Sequence, residues 1–367
     1  MRQFTIAVIA AAVLLSLCGV SPGAEAEPSG TATLKYDARG ALRVKTPAMM
    51  STYNRFSVGS SSSMGIKVAG KPIKTSARVT GRSFYLGFDR NGDGAISKAE
   101  WGVIPKSGTM LISGKSGDLS YVIRLVKMRV SYNRKTVSCW GQALIRSSMA
   151  GTVGRVPVRI LDDNMDGKFT QGSSGSSGDA IMIGSSASAI PLRQVHRIGK
   201  YIYRLKVAED GSSIDYQRMD DAELGLVNAI FPANSLKSLV LVGKDAAFDV
   251  KTDGLAGIPA GTYKLAYGTV SRGSAALVFK PSRATPDYEI QAKMVNTLRV
   301  GSKVRMDFGA SFRGGKVGLA ARDVMVIGSG SEIYGPLDFT EGGNAKPPRV
   351  IMLSGRRVLS SSSMKYG

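Results

Sequence analysis

The sequence predicts an all-β protein, mainly antiparallel β-sandwich domains, with one short helix following an acidic loop. Three observations carry that expectation. The 367 residues include 44 glycines, and Ser- and Gly-rich runs stand at 57–65, 172–178 and 360–363. Between these runs, apolar side chains recur at alternate positions and not at helical spacing. Turn residues return at short intervals, the pattern of sheets closed by hairpins.

The first element, residues 1–26, reads as a signal peptide. Arg2 supplies the positive end, Phe4 to Leu17 the apolar stretch, and Ala24-Glu25-Ala26 a small-x-small cleavage site. The apolar run is short for a membrane span of about 20 residues, and Leu17 is too large for the residue that precedes a lipid-modified cysteine. A secreted or periplasmic, cell-envelope location with cleavage after Ala26 is expected. No later segment is apolar enough to anchor the chain in a membrane. Cleavage would remove Cys18 and leave Cys139 alone, so no internal disulfide can close. Val137 and Trp140 around Cys139 suggest a buried strand position.

Residues 27–80 read as an N-terminal β segment and 81–221 as a β-rich domain. In "LSYVIRLVKMRVSY" (119–132), Leu119, Tyr121, Ile123 and Leu125 share one face against Val122, Arg124 and Val126. "KYIYRLKVAEDGSSIDY" (200–216) is a strand, a turn at Asp210-Gly211 and a returning strand. Helix is expected only after the first acidic loop and around Asp221 to Leu226. Residues 226–367 read as a C-terminal β-sandwich region of one or two small units. In "GIPAGTYKLAYG" (257–268), Pro259, Gly261 and Tyr263 make a tight turn into a strand. That turn resembles the one in transthyretin-like and carboxypeptidase-regulatory-like sandwich domains, which agrees with the fold class and fixes no function.

Chemistry concentrates in two acidic loops. "DRNGDGAISKAE" (89–100) places Asp89, Asn91 and Asp93 at positions one, three and five, Gly94 at six, Ala95 at seven, Ile96 at eight, Ser97 at nine and Glu100 at twelve. Three short oxygen-bearing side chains on alternate residues can converge while the chain curls round them. Calcium takes six to eight oxygens at about 2.3–2.6 Å. Gly94 permits the bend, the carbonyl of Ala95 is free to donate, and Glu100 can close the shell with both oxygens. The loop resembles the EF-hand calcium loop position by position, which implies Asp89, Asn91, Asp93, Ala95, Ser97 and Glu100 as ligands of Ca2+. It departs from the EF-hand upstream, where "RVTGRSFYLGF" reads as a strand and not as a helix.

A weaker copy follows in 162–173. Asp162, Asn164, Asp166 and Gly167 match positions one, three, five and six, Lys168 offers the seventh carbonyl, and Phe169 holds the apolar eighth. Position twelve is Ser173, so the closing carboxylate is missing, and Asp179 is the candidate substitute from beyond the Gly/Ser run. Asp-Asn-x-Asp-Gly is also good turn chemistry without a metal. The order of strand, acidic loop, strand, acidic loop and hairpin across 81–221 resembles a group of exported bacterial proteins that carry EF-hand-like loops on β-rich domains. That resemblance implies calcium binding and export, and no reaction.

With 49 Lys and Arg against 27 Asp and Glu, the net charge is +22. Such a charge draws anionic polymers, so an anionic envelope or extracellular polymer is the expected partner. The cations are scattered and no aromatic ladder accompanies them, which argues against specific nucleic-acid binding. No catalytic constellation emerges. His196 has no Gly-x-Ser-x-Gly elbow to serve, and Cys139 alone cannot complete a zinc site with it. "GTMLISGKSG" (108–117) misses phosphate-loop spacing by one residue. Glu209, Asp210, Asp220, Asp221 and Glu223 look like surface charges. The leading expectation is an exported calcium-binding structural or interaction protein with no enzymatic activity. The alternatives are a binder of anionic polysaccharide through the basic surface, and a secreted hydrolase with purely structural calcium.

Overall fold

The computed structural model describes residues 28–40, 55–59, 65–68, 70–106, 108–116, 119–133, 136–172, 178–186, 188–220, 222–229, 231, 235–250, 256–272, 275–301, 304–313, 316–334, 349–354 and 357–363. The expected signal peptide lies outside these residues, as do Ser173 and Asp221.

The described chain is built almost wholly of antiparallel strands, and its hydrophobic interior falls into three clusters. The first cluster lies between two sheets. One sheet pairs Arg55–Val58, Val137–Ile145, Leu119–Tyr132 and Met110–Ser116 in that order. The other pairs Thr75–Thr80, Ser83–Phe88 and Trp101–Val103. Alternation on Leu119–Tyr132 sends Tyr121, Ile123 and Leu125 inward to meet Leu86, Phe88, Phe56 and Cys139. Cys139 is fully buried, and burial pushes its thiol up to about 11. It is therefore an inert core side chain.

The second sandwich-like pair uses chain from both ends of the N-terminal half. Lys35–Asp37, Ser148–Val153, Val156–Leu161, Ala180–Ile183 and Ile190–Pro191 form one sheet. Ser29–Thr33, Ser213–Arg218, Tyr201–Val207 and Val195–Ile198 form the other. The strand Val156–Leu161 serves two interiors, because Val158 and Ile160 enter this cluster while Leu161 enters the first. The third cluster lies in the C-terminal region around Leu239, Leu241, Phe248, Tyr263, Phe279 and Tyr288. There Leu224–Ala229 pairs parallel with Val295–Leu298, an exception to the antiparallel rule. The Tyr263 hydroxyl donates to the Pro259 carbonyl at 2.9 Å and closes the tight turn expected at 257–263.

The expected helices are not formed. After the first acidic loop, Lys98–Glu100 make only a single 3-10 turn, and the strand Trp101–Val103 begins at once. Ser97-Lys98-Ala99-Glu100 has helical propensity, but Trp101 and Val103 pair with Gly87 and Tyr85 across the sheet. The Arg78 guanidinium also stacks 4.0 Å from the Trp101 ring. Sheet pairing outweighs a turn too short to repay helix nucleation. Downstream of Asp221, residues Leu224–Ala229 form a strand, again held by neighbours on both edges.

Candidate metal centre

Each acidic loop leaves the end of a strand and curls back. The first follows Ser83–Phe88, whose Phe88 is anchored in the first cluster. Asp89 is buried; its Oδ1 accepts the Gly92 N–H at 2.7 Å and its Oδ2 the Gly94 N–H at 2.8 Å. Asn91 Oδ1 accepts from the Asp93 amide at 3.1 Å, and Asp93 Oδ1 from the Ala95 amide at 2.8 Å. Asn91 Nδ2 donates to Asp93 Oδ2 at 2.7 Å. Gly94 has φ +79°, where a side chain would be strained. Glu100 is buried, with Oε1 accepting the Arg90 amide at 2.6 Å and Oε2 the Ser97 amide at 2.8 Å. Those amide bonds, that from Ser97 foremost, hold its carboxyl below the usual range. Lys74 supports the loop from the neighbouring segment, accepting the Asp89 amide at 3.0 Å and donating Nζ to the Gly94 carbonyl at 2.7 Å.

The second loop follows Val156–Leu161 and has a closely similar hydrogen-bond lattice, in which the first aspartate's Oδ1 takes the amide of position five where Asp89 takes that of position four. Asp162 accepts from the Asp166 and Gly167 amides at 3.0 and 2.9 Å. Asn164 Oδ1 accepts from the Asp166 amide at 2.9 Å, and Asp166 Oδ1 from the Lys168 amide at 2.8 Å. Asn164 Nδ2 donates to Asp166 Oδ2 at 2.9 Å. The twelfth position lies outside the described residues, but Asp179 is in place: Oδ1 accepts the Asp163 amide at 3.0 Å and Oδ2 the Thr170 amide at 2.7 Å. Asp163 and Thr170 stand at loop positions two and nine, as Arg90 and Ser97 do in the first loop. Asp179, arriving from outside the twelve residues, therefore makes the same two bonds as Glu100. Its own position is fixed by the strand Ala180–Ile183, which begins one residue later and pairs with Val156–Leu161.

The surroundings of the loops differ. Met165 of the second loop is buried in the first cluster, while Phe169 packs against the cluster of the second sandwich. Gly70, in the turn between Ile66–Val68 and Lys71–Ile73, donates to the Met165 carbonyl at 3.0 Å. It has φ +74°, and a Cβ there would stand 2.7 Å from the Asp166 carbonyl oxygen, so only glycine fits without displacement. This enclosure shows in the carboxyl groups. Burial pushes Asp162 up to about 6, Asp163 to about 7 and Asp179 to about 8. Arg146 opposes the rise at Asp163, and no ion pair among the described residues reaches Asp162 or Asp179.

The structure thus brings Asp89, Asn91, Asp93, Ala95, Ser97 and Glu100 into one curled loop, and Asp162, Asn164, Asp166, Lys168 and Asp179 into another. Among the described residues, no three His, Cys, Asp or Glu side chains gather into a metal-holding group. Much of each loop's oxygen supply is of other kinds, from asparagine, serine and main-chain carbonyls. The Lys168 side chain points to Glu209, with Nζ 2.5 Å from Oε1, leaving its carbonyl as the relevant atom.

The remaining sequence candidates do not assemble. His196 is fully buried in Val195–Ile198, its Nε2 accepts the Arg193 amide at 2.9 Å, and burial holds it down at about 4, hence neutral. The phosphate-loop lookalike is a hairpin arm, Met110–Ser116 paired with Leu119–Tyr132. Glu209, Asp220 and Glu223 are engaged with Lys168, Arg218 and Lys293, and Asp210 with Ser212. Comparison with protein-family models, with curated proteins and with solved structures finds no significant match.

Proposed function

We propose that the chain is an exported calcium-binding protein whose two acidic loops hold divalent ions against the edges of the β-scaffold. One observation carries the reading: in both loops a carboxylate remote from position one accepts the amides of positions two and nine. An isolated polar turn has no need of that carboxylate, and the second loop recruits one from across a Gly/Ser run. The donor set fits a hard cation, being all oxygen with no cysteine or histidine among it. Glu100 Oε2 and both Asp179 oxygens each accept one amide and keep a further lone pair free for an ion. In the second loop, the raised carboxyl groups have a charge deficit that a divalent cation would offset. The role of the ion is structural, and the +22 chain acts as an envelope or matrix module.

Thermal unfolding tests this reading. Calcium at a hundredfold excess over its dissociation constant stabilises by about 2.7 kcal/mol per site. For sandwich units of this size that is a rise on the order of 5–10 °C, reversed by chelator and smaller with magnesium. An unfolding temperature indifferent to calcium and chelator would overturn it.

A further inference from the structure

A concavity separate from the acidic loops lies in the C-terminal region. Its lining, from Ala284, Pro286, Tyr288, Thr297, Arg299 and Ser331 among others, encloses about 450 Å³, within the roughly 300–1,000 Å³ typical of small-ligand sites. Its walls come from three separate stretches of chain, fastened to one another from behind. Glu332 is fully buried; its Oε1 accepts the Gly301 amide at 2.6 Å and its Oε2 the Gly330 amide at 2.9 Å. Thr285 Oγ1 donates to the Ser331 carbonyl at 3.1 Å and ties the 282–287 turn to the same wall. The cleft is therefore braced before any ligand arrives, which lowers the ordering cost of binding.

Two features of its lining bear on what it could hold. Tyr288 is only 8% exposed, and its hydroxyl, buried in the cleft wall, has no hydrogen-bond partner among the described residues. Buried hydroxyls normally have one. Arg299 is exposed and makes no ion pair among the described residues, although a guanidinium is the side chain best shaped to grip a carboxylate with two parallel bonds. Hydroxyls both donate and accept, so Thr297 and Ser331 match a polyol, while Ala284 and Pro286 offer an apolar edge for the C–H face of a sugar ring.

We infer that this cleft binds a carboxylated sugar unit of an anionic polysaccharide, with Arg299 on the carboxylate and Tyr288 among the hydroxyl contacts. The net charge of +22 would draw the polymer to the protein, and the cleft would choose the unit.

Calorimetric titration with an oligogalacturonate tests the assignment, with a neutral oligosaccharide of equal length and inorganic sulfate as further arms. The expected result is saturable one-to-one binding of the uronate, with at least tenfold weaker binding of the neutral sugar and of sulfate. Arg299→Gln should weaken uronate binding at least tenfold and Tyr288→Phe several-fold, while Arg155→Gln, which removes an exposed charge outside the cleft, changes it less than twofold. Unchanged unfolding temperatures in Arg299→Gln and Arg155→Gln would show that neither result reflects misfolding. Equal losses in those two variants would reduce the effect to overall charge and overturn the proposal. Equal affinity for sulfate would overturn the sugar assignment, and an absence of saturable binding would overturn the site.

Discussion

The two acidic loops share a hydrogen-bond lattice and differ in what surrounds them. Loop 89–100 hangs at the edge of one hydrophobic cluster, with Asn91, Asp93 and Ala95 in solvent, and its closing Glu100 is held ionised by backbone amides. Loop 162–170 is wedged between two clusters, and its closing Asp179 is fully buried with its carboxyl pushed up to about 8. One geometry therefore gives two electrostatic states. On the proposed reading, the exposed loop would take a cation at neutral pH, whereas in the enclosed loop a proton and a cation would compete for the same carboxylates. Desolvation, which is much the larger at Asp179, makes the difference.

The largest predicted effect of a substitution probes that contrast directly. Asp179→Ala orphans two amides, each at about 1–3 kcal/mol, for a loss on the order of 2–6 kcal/mol. Glu100→Ala orphans three part-buried amides, those of Arg90, Asn91 and Ser97, on a loop that stands more in solvent, and should cost about 1–3 kcal/mol. Denaturant midpoints for the two variants rank them, and a larger loss at Glu100 would break the comparison. Gly70→Ala comes next, at about 1–3 kcal/mol for a strained backbone pressed on the Asp166 carbonyl. It should weaken calcium binding at the second loop and leave the first unchanged, which titrations of Gly70→Ala in a Glu100→Gln background can separate.

A further effect is on pH dependence, and its sign is opposite for the two loops. In the folded chain Asp162 and Asp179 hold their protons more tightly than in the unfolded one. In chelator, stability should therefore fall as pH rises from about 4 to about 8. Glu100 is lowered instead, so its contribution is present above its unfolded value and is lost only as pH falls toward acid. Calcium should flatten the loss between about pH 6 and 8, because the ion favours the ionised carboxylates of the second loop. A calcium response independent of pH across that interval would contradict the proton competition.

Much of this was legible in the residues. Alternation identified the strands at 119–132 and 200–216, and the strands entering both loops, because a two-residue period survives wherever one face is buried. The first loop could be read at every position, its residues being consecutive. Asp179 could be named only as a candidate, since its place depends on the pairing of Ala180–Ile183 with Val156–Leu161. The helix expected after the first loop does not form because local propensity at Ser97–Glu100 yields to the pairing of Trp101 with Gly87. The roles of Arg90, Ser97, Asp163 and Thr170 as amide donors left no mark on side-chain identity, because any non-proline residue can donate. The cleft around Arg299 joins stretches that no sequence period links.

The central claim is that both loops are cation sites of one design, closed by Glu100 in one and by Asp179 in the other. Calorimetric calcium titration at pH 8 measures it most directly. The account predicts two ions bound per wild-type chain, one in Glu100→Gln and one in Asp179→Asn. Flat heats with the wild-type protein, or a stoichiometry that neither substitution changes, would contradict it.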